Sequence, residues 1–462
     1  MIFQQYELSC LSLFSYLIGD ETTGRAVVVD PQRDISQYVA DAAELGLTIE
    51  RVLETHFHAD FLSGHLELAA ATGAVISYGD EARADFPIDA MAHRQRLSLG
   101  EVALEIRHTP GHTPESISIV VWEHEADPDP WGVLTGDTLF IGDVGRPDLL
   151  VSVGHTADDL GRMLYHSLHE QLLTLPDATR VYPAHGAGSA CGKHLSTETE
   201  STIGAERATN YALQPMTEDE FVDVVTEGQP AAPPYFLFAA TQNRQQRALL
   251  AEQGIAAMTL DEVLAAQRAG AVVLDTRDQT MFGAGHLRGA VSVGLEGRFA
   301  EYTGEVVTPS TPIVLVGEPG TEAEARTRLA RIGFDNVLGA LDDYVAAFID
   351  HPDLVEQASR LSAEELAERR VSVPDLQVVD VRNIGEVAAS GTVPGAVNIP
   401  LAQLVARLGE LDPAAPIVVY CAGGYRSSIA ASTLRSNGFP DVSDLLGGIG
   451  AWAGSGGELT RT

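Results

Sequence analysis

The chain has 462 residues, 45% of them hydrophobic, with Gly and Pro spread evenly, so more than one hydrophobic core is expected and about three domains are predicted. Its 29 Lys and Arg against 65 Asp and Glu give a formal net charge of -36, which repels phosphate backbones and anionic lipid and argues against nucleic-acid or membrane binding. The three cysteines, Cys10, Cys191 and Cys421, are far apart and odd in number, which excludes a disulfide framework and fits thiols in a reducing cytoplasm.

The apolar run from Leu8 to Gly19 has no basic stretch before it and is too short to span a bilayer, so it reads as a first strand with Cys10 in the core. The first half then repeats one pattern, a short apolar or β-branched run followed by a turn carrying His or Asp. Arg51–Thr55 precedes His56, His58 and Asp60; Ala103–Arg107 precedes His112; Val133–Thr135 precedes Asp137; Arg180–Tyr182 precedes His185. Strands that end in such turns gather their polar side chains at one edge of a sheet, which is where an α/β site forms. A set of His and Asp so placed is a metal constellation. The Gly-, Pro- and Ala-rich stretch Glu227–Pro234 reads as a loop near the end of this first domain, bounded at 1–240.

Those elements, THFHAD at Thr55 to Asp60, PGHT with His112, TGDT with Asp137 and YPAHG with His185, resemble the metallo-β-lactamase superfamily, in its glyoxalase II and persulfide dioxygenase branch. The resemblance implies an αββα sandwich. Binuclear hydrolases of the superfamily follow the Asp60 position with a His ligand, and here the residue is Phe61, so a mononuclear site is expected. By resemblance to the dioxygenases, His56, His112 and Asp137 hold one Fe(II) per chain, with zinc as the other metal such donors accept. His58, Asp60 and His185 then orient ligands or substrate. GDVGRPDL resembles a dioxygenase segment whose Arg146 either meets an anionic thiol substrate or sits in an ion pair. Cys191, in a stretch similar to fused dioxygenase–rhodanese proteins, either binds or relays sulfur or is an inert buried thiol.

The second half is an internal repeat. VVLDTR at Asp275 is matched by VVDVR at Asp380, GHLRGAVSV at His286 by GTVPGAVNIP at Thr392, and GFDNV at Gly333 by GFPDV at Gly438, with a constant offset of about 105 residues. A domain-sized period predicts two α/β modules, at 255–352 and 360–462. In the second, Ile417–Tyr420 runs into Cys421-Ala422-Gly423-Gly424-Tyr425-Arg426-Ser427. A glycine-bearing loop entering a helix points backbone N–H groups at the sulfur, and Arg426 can add a full charge. The CxxGxRS loop, with DVR, PGAVNIP and Trp452, resembles rhodanese, which makes Cys421 the catalytic residue served by Gly424, Arg426 and Ser427. The matching position in the first module is Gly317, followed by Glu318 and Glu322, so that module is expected to be inactive.

The whole reads as a dioxygenase that oxidises a thiol persulfide with O2 to sulfite, joined to sulfane-sulfur transfer involving thiosulfate or persulfide at Cys421. Two other readings are a binuclear zinc thioester hydrolase of glyoxalase II type and a non-catalytic sulfur carrier or sensor. The thiol carrier, the direction of sulfur transfer and any homo-oligomer stay open.

Overall fold

A computed structural model describes residues 1–149, 154–250 and 254–461. They form two compact units, Met1–Gln229 with Phe236–Ala251, and Pro230–Tyr235 with Glu252–Thr462.

The first unit holds two six-stranded sheets. One runs in chain order through Ile2–Leu8, Leu13–Gly19, Arg25–Val29, Thr48–Leu53, Val75–Gly79 and Asp89–Met91. The other has Ser201–Thr202, Arg180–Pro183, Gly132–Gly136, Ile117–Trp122, Ala103–His108 and Arg96–Ser98 side by side. Their inner strands are buried on both faces because each sheet is covered twice. Phe14, Tyr16, Ile18, Val27 and Val29 pack between the sheets against Leu104, Ile106, Ile119 and Val121. The alternate residues Leu17, Ala26 and Val28 face Tyr38 and Ala42 of helix Ser36–Glu44. Across the second sheet, Val120, Val133 and Val181 pack on Leu164, Leu168 and Phe221 from the helical segments. This is the expected αββα sandwich, and period-2 alternation decides which core each residue joins. The run Leu8–Gly19 is not one strand. It turns at Ser9–Ser12, with Ser12 at φ 53°, so Leu8 pairs with Leu13 in a hairpin and Cys10 is buried in the turn.

The second unit contains two parallel five-stranded sheets of the same order. In the first module it is Ala257–Met258, Val337–Leu341, Ile313–Val316, Val272–Asp275 and Val291–Ser292. In the second it is Ser359–Leu361, Val442–Leu445, Ile417–Tyr420, Gln377–Asp380 and Val397–Asn398. Both bury an Asp–Arg pair at the end of the strand next to the central one, Asp275–Arg277 after Val272–Asp275 and Asp380–Arg382 after Gln377–Asp380. Among the described residues, no helix is long and apolar enough to cross a membrane.

Candidate metal centre and sulfur-transfer loop

His56, His112 and Asp137 each lie just past a strand end, and sheet direction brings them together. Gly132–Gly136 runs parallel to Arg180–Pro183 and antiparallel to Ile117–Trp122, which is antiparallel to Ala103–His108. The strands leading to His112, Asp137 and His185 therefore finish at one edge, and Thr48–Leu53 of the facing sheet delivers His56. One ligand atom from each of His56, His112 and Asp137 falls within 4.8 Å of the others. His112 Nε2 is 3.4 Å and His56 Nε2 3.9 Å from Asp137 Oδ2.

Neighbours fix the donor atoms. The Thr55 hydroxyl donates to Asp30 Oδ2 at 2.8 Å, so its oxygen accepts from His56 Nδ1 at 3.0 Å and Nε2 is left as the free lone pair. His112 Nδ1 donates to the Arg146 carbonyl at 3.0 Å, with the same result. Asp137 Oδ1 accepts from His185 Nδ1 at 2.7 Å, and His185 Nε2 meets Asp60 Oδ2 at 2.7 Å. Gly145 is required here, because a Cβ would fall 1.8 Å from the Asp137 carbonyl oxygen.

The electrostatics suit a cation. Burial, reinforced by His58, pushes the His56 imidazolium well below its ordinary range, and burial also lowers that of His112. Both imidazoles are therefore neutral and able to ligate. Burial opposes ionisation of Asp137, yet the charge and hydrogen bond of His185 hold it far below the usual carboxylate range. Burial likewise opposes charge on His185, but Asp137 and Asp60 on either side hold its pKa well above the ordinary value. His56 Nε2 and Asp137 Oδ2 are fully buried without a hydrogen-bond partner, a cost of about 1–3 kcal/mol each that a metal ion removes. Two imidazoles and a carboxylate with these free atoms fit an iron or zinc ion.

The other predicted residues fall close by with different partners. His58 Nε2 lies 3.1 Å from Asp30 Oδ1, with its ring centroid 4.1 Å from that of His56. Asp60, His185 and Cys191 form a second group within 4.8 Å, next to the fully buried Phe61. Burial, with Asp60 and Asp137 adding to it, raises the Cys191 thiol well above its ordinary range. The Arg146 guanidinium is forked onto Asp148 at 2.7 and 2.8 Å and donates to the Ala190 carbonyl at 3.0 Å. It therefore ties the Cys191 loop to the segment that orients His112.

One residue has no sequence signal. The Asn243 side-chain amide donates to the His58 and Phe61 carbonyls, each at 2.8 Å, and accepts from the Ser63 N–H at 3.0 Å. It comes from helix Phe236–Arg244 and pins the loop that carries His56. Nearby, Arg247 and Arg33 both pair with Glu67.

In the second unit Cys421 is 2% exposed. Its Sγ accepts from the Gly424 N–H at 3.1 Å and lies 3.7 Å from Ser427 Oγ. Gly424, at φ 105°, makes the turn into helix Tyr425–Ser436, whose N-terminus adds positive potential. Arg426 forks onto Glu386, both bonds at 2.7 Å, so its charge is largely compensated rather than free for the sulfur. In the first module Gly317 follows Ile313–Val316 as Cys421 follows Ile417–Tyr420. A Cβ at Gly317 would fall 2.5 Å from Thr276 Oγ1, so a nucleophilic side chain there requires Thr276 to give way.

The comparisons agree with this architecture. The metallo-beta-lactamase superfamily model matches residues 9–185, and the rhodanese-like domain model matches 259–347 and 362–455. The human mitochondrial persulfide dioxygenase ETHE1 is 33% identical over 245 residues, 52% of this chain and 86% of that protein. The bovine protein of the same name is 33% identical over 50% of this chain and 82% of its own length. A crystal structure of a metallo-beta-lactamase from Staphylococcus aureus superposes with a TM-score of 0.67 at 33% identity, covering 73% of this chain and 98% of its own. The chain belongs to the persulfide dioxygenase family of the metallo-β-lactamase superfamily, carries two rhodanese-like domains after it, and is an enzyme of sulfur metabolism.

Proposed function

We propose that the first unit oxidises a low-molecular-weight thiol persulfide with O2, and that Cys421 carries sulfane sulfur. The balance is R–S–SH + O2 + H2O giving R–SH, sulfite and two protons. The observation that carries this reading is the buried trio His56, His112 and Asp137, with unpartnered donor atoms on His56 and Asp137, in a chain that has Phe61, which offers no ligand atom, where binuclear relatives carry a histidine.

Iron(II), when bound by the trio, supplies redox chemistry with O2 and leaves positions open for the substrate sulfur. The chain's own residues hold this geometry. His185, charged between Asp137 and Asp60, keeps one carboxylate oxygen of Asp137 facing the histidines. The Arg146 backbone fixes His112, and its guanidinium, held by Asp148, positions rather than meets substrate. Cys191 and His185, grouped with Asp60 beside Asp137, are the side chains that a bound persulfide would meet. The raised thiol of Cys191 stays protonated, which keeps it from competing as a thiolate ligand.

At the rhodanese loop, the Cys421 thiolate attacks a sulfane sulfur, the donor's S–S bond breaks, and the loop N–H groups support the resulting persulfide. The module with Gly317 takes no part in this covalent chemistry. The three free cysteines suit the reducing compartment expected. The thioester hydrolase reading requires a ligand that Phe61 does not provide. Iron content of anaerobically purified protein, measured with persulfide-dependent oxygen uptake, tests the proposal. About one iron per chain is expected; two zinc ions with thioester hydrolysis overturn it.

A further inference from the structure

The module without a nucleophile reaches the loop of the module that has one. The Tyr425 hydroxyl, from inside the CxxGxRS loop, donates to the Gly294 carbonyl at 2.8 Å and the Glu296 carbonyl at 3.3 Å. The Tyr302 ring sits edge-on to Tyr425 at 5.5 Å, and the Ser292 N–H donates to Ser432 Oγ at 2.9 Å. Arg328 holds the 294–297 segment from behind through the Leu295 and Gly297 carbonyls. These contacts seat helix Phe299–Val306 beside Arg426.

That helix brings acid. Arg298 is forked onto Glu301, as Arg426 is onto Glu386. Glu305 lies in the field of Glu301, Arg298, Arg426 and Glu386. Arg328 is paired with Glu324, and Glu296 lies on the same segment. Within the catalytic module Arg382 is cancelled by Asp380, and the packed helix Leu401–Leu404 carries no charge. The guanidiniums of Arg298, Arg328 and Arg426 thus face the carboxyls of Glu296, Glu301, Glu305, Glu324 and Glu386. No net positive charge remains for an anion to find.

We propose that helix Phe299–Val306 of the nucleophile-free module is a specificity element for Cys421. Its Glu301, with Glu386, offsets the arginines and turns the site from dianionic donors such as thiosulfate toward thiol persulfides of lower charge, and Glu305 on the same helix adds to this as its carboxylate. The inference rests on Cys421 being the sulfur carrier. In each case Cys421 attacks the donor's outer sulfur, and sulfite or a thiolate leaves with the electron pair of the broken S–S bond. Burial and Glu301 raise the Glu305 carboxyl to about 8, so the discrimination grows as it ionises.

The test uses the full chain without an acceptor, following persulfide formation on Cys421 by mass spectrometry after rapid quench. The donors are thiosulfate and the persulfide of 2-mercaptoethanol. The ratio of their rate constants cancels the ionisation of Cys421 itself. The thiosulfate-to-persulfide ratio is expected to rise with added salt, because screening relieves like-charge repulsion, and to fall as pH passes through about 8. Glu305→Gln should flatten that fall, and Glu301→Gln should raise the ratio about two- to fourfold, the order expected when one freed charge about 10 Å away in a hydrated site acts on a dianion rather than on a singly charged or neutral persulfide. A ratio that drops with salt, in wild-type protein and regardless of the variants, overturns the proposal alone. No persulfide on Cys421 from either donor overturns the sulfur-carrier reading as well.

Discussion

Replacing Asn243 by Ala probes how the metal loop is held. The side chain is 1% exposed and makes three hydrogen bonds, to the His58 and Phe61 carbonyls and from the Ser63 N–H. Its removal leaves three buried backbone groups without partners. At about 1–3 kcal/mol for each orphaned group, and with partial relaxation, the loss is about 3–5 kcal/mol. For a unit of this size that lowers the midpoint of its thermal transition by about 10 °C. The loop also sets the position of His56, so iron occupancy falls in the variant. The assay is thermal unfolding followed by release of iron, with metal content measured on the purified protein. A variant with a midpoint within 2 °C of wild type and full iron would refute the reasoning.

Other expectations address the remaining parts. Asp137→Ala removes the carboxylate ligand and leaves His185 facing a vacated partner, so iron and oxygen uptake should vanish together while rhodanese turnover persists; metal analysis beside both assays checks this. Cys421→Ser should abolish sulfane-sulfur transfer but leave persulfide-dependent oxygen uptake intact, and adding Gly317→Cys should not restore transfer, given the 2.5 Å approach to Thr276 Oγ1. His286, buried and stacked on Phe282 at 3.7 Å, has its pKa lowered to about 4, chiefly by burial. The unfolded chain then binds the proton first, so the second unit should lose stability as pH falls from about 6.5 to about 4. Urea unfolding across that range should show a fall that His286→Asn removes.

Much of the site could be read in the chain because its chemistry is local. A short apolar run ending in a polar turn marks a strand terminus, and four such turns carry His56, His112, Asp137 and His185. The repeat of Asp275 and Asp380 likewise announced two modules with one sheet order. What escaped depends on long-range pairing. Asn243 meets the His56 loop across about 180 residues, and no spacing or motif signals it. The fork between Arg426 and Glu386 spans 40 residues, and it changes Arg426 from a free charge into a compensated one. The split of Leu8–Gly19 into a turn and a strand escaped for another reason: Cys10 and Leu11 in the turn are as apolar and buried as the strand, and only Ser9 and Ser12 mark the break.

The central claim is that one iron ion, held by His56, His112 and Asp137, oxidises a persulfide. The most direct test is oxygen consumption by anaerobically purified, iron-quantified protein on addition of a thiol persulfide, with sulfite measured as product. The account predicts uptake of one O2 per sulfite formed, proportional to an iron content near one per chain. Protein that holds two zinc ions and hydrolyses a glutathione thioester, with no oxygen uptake, would contradict it.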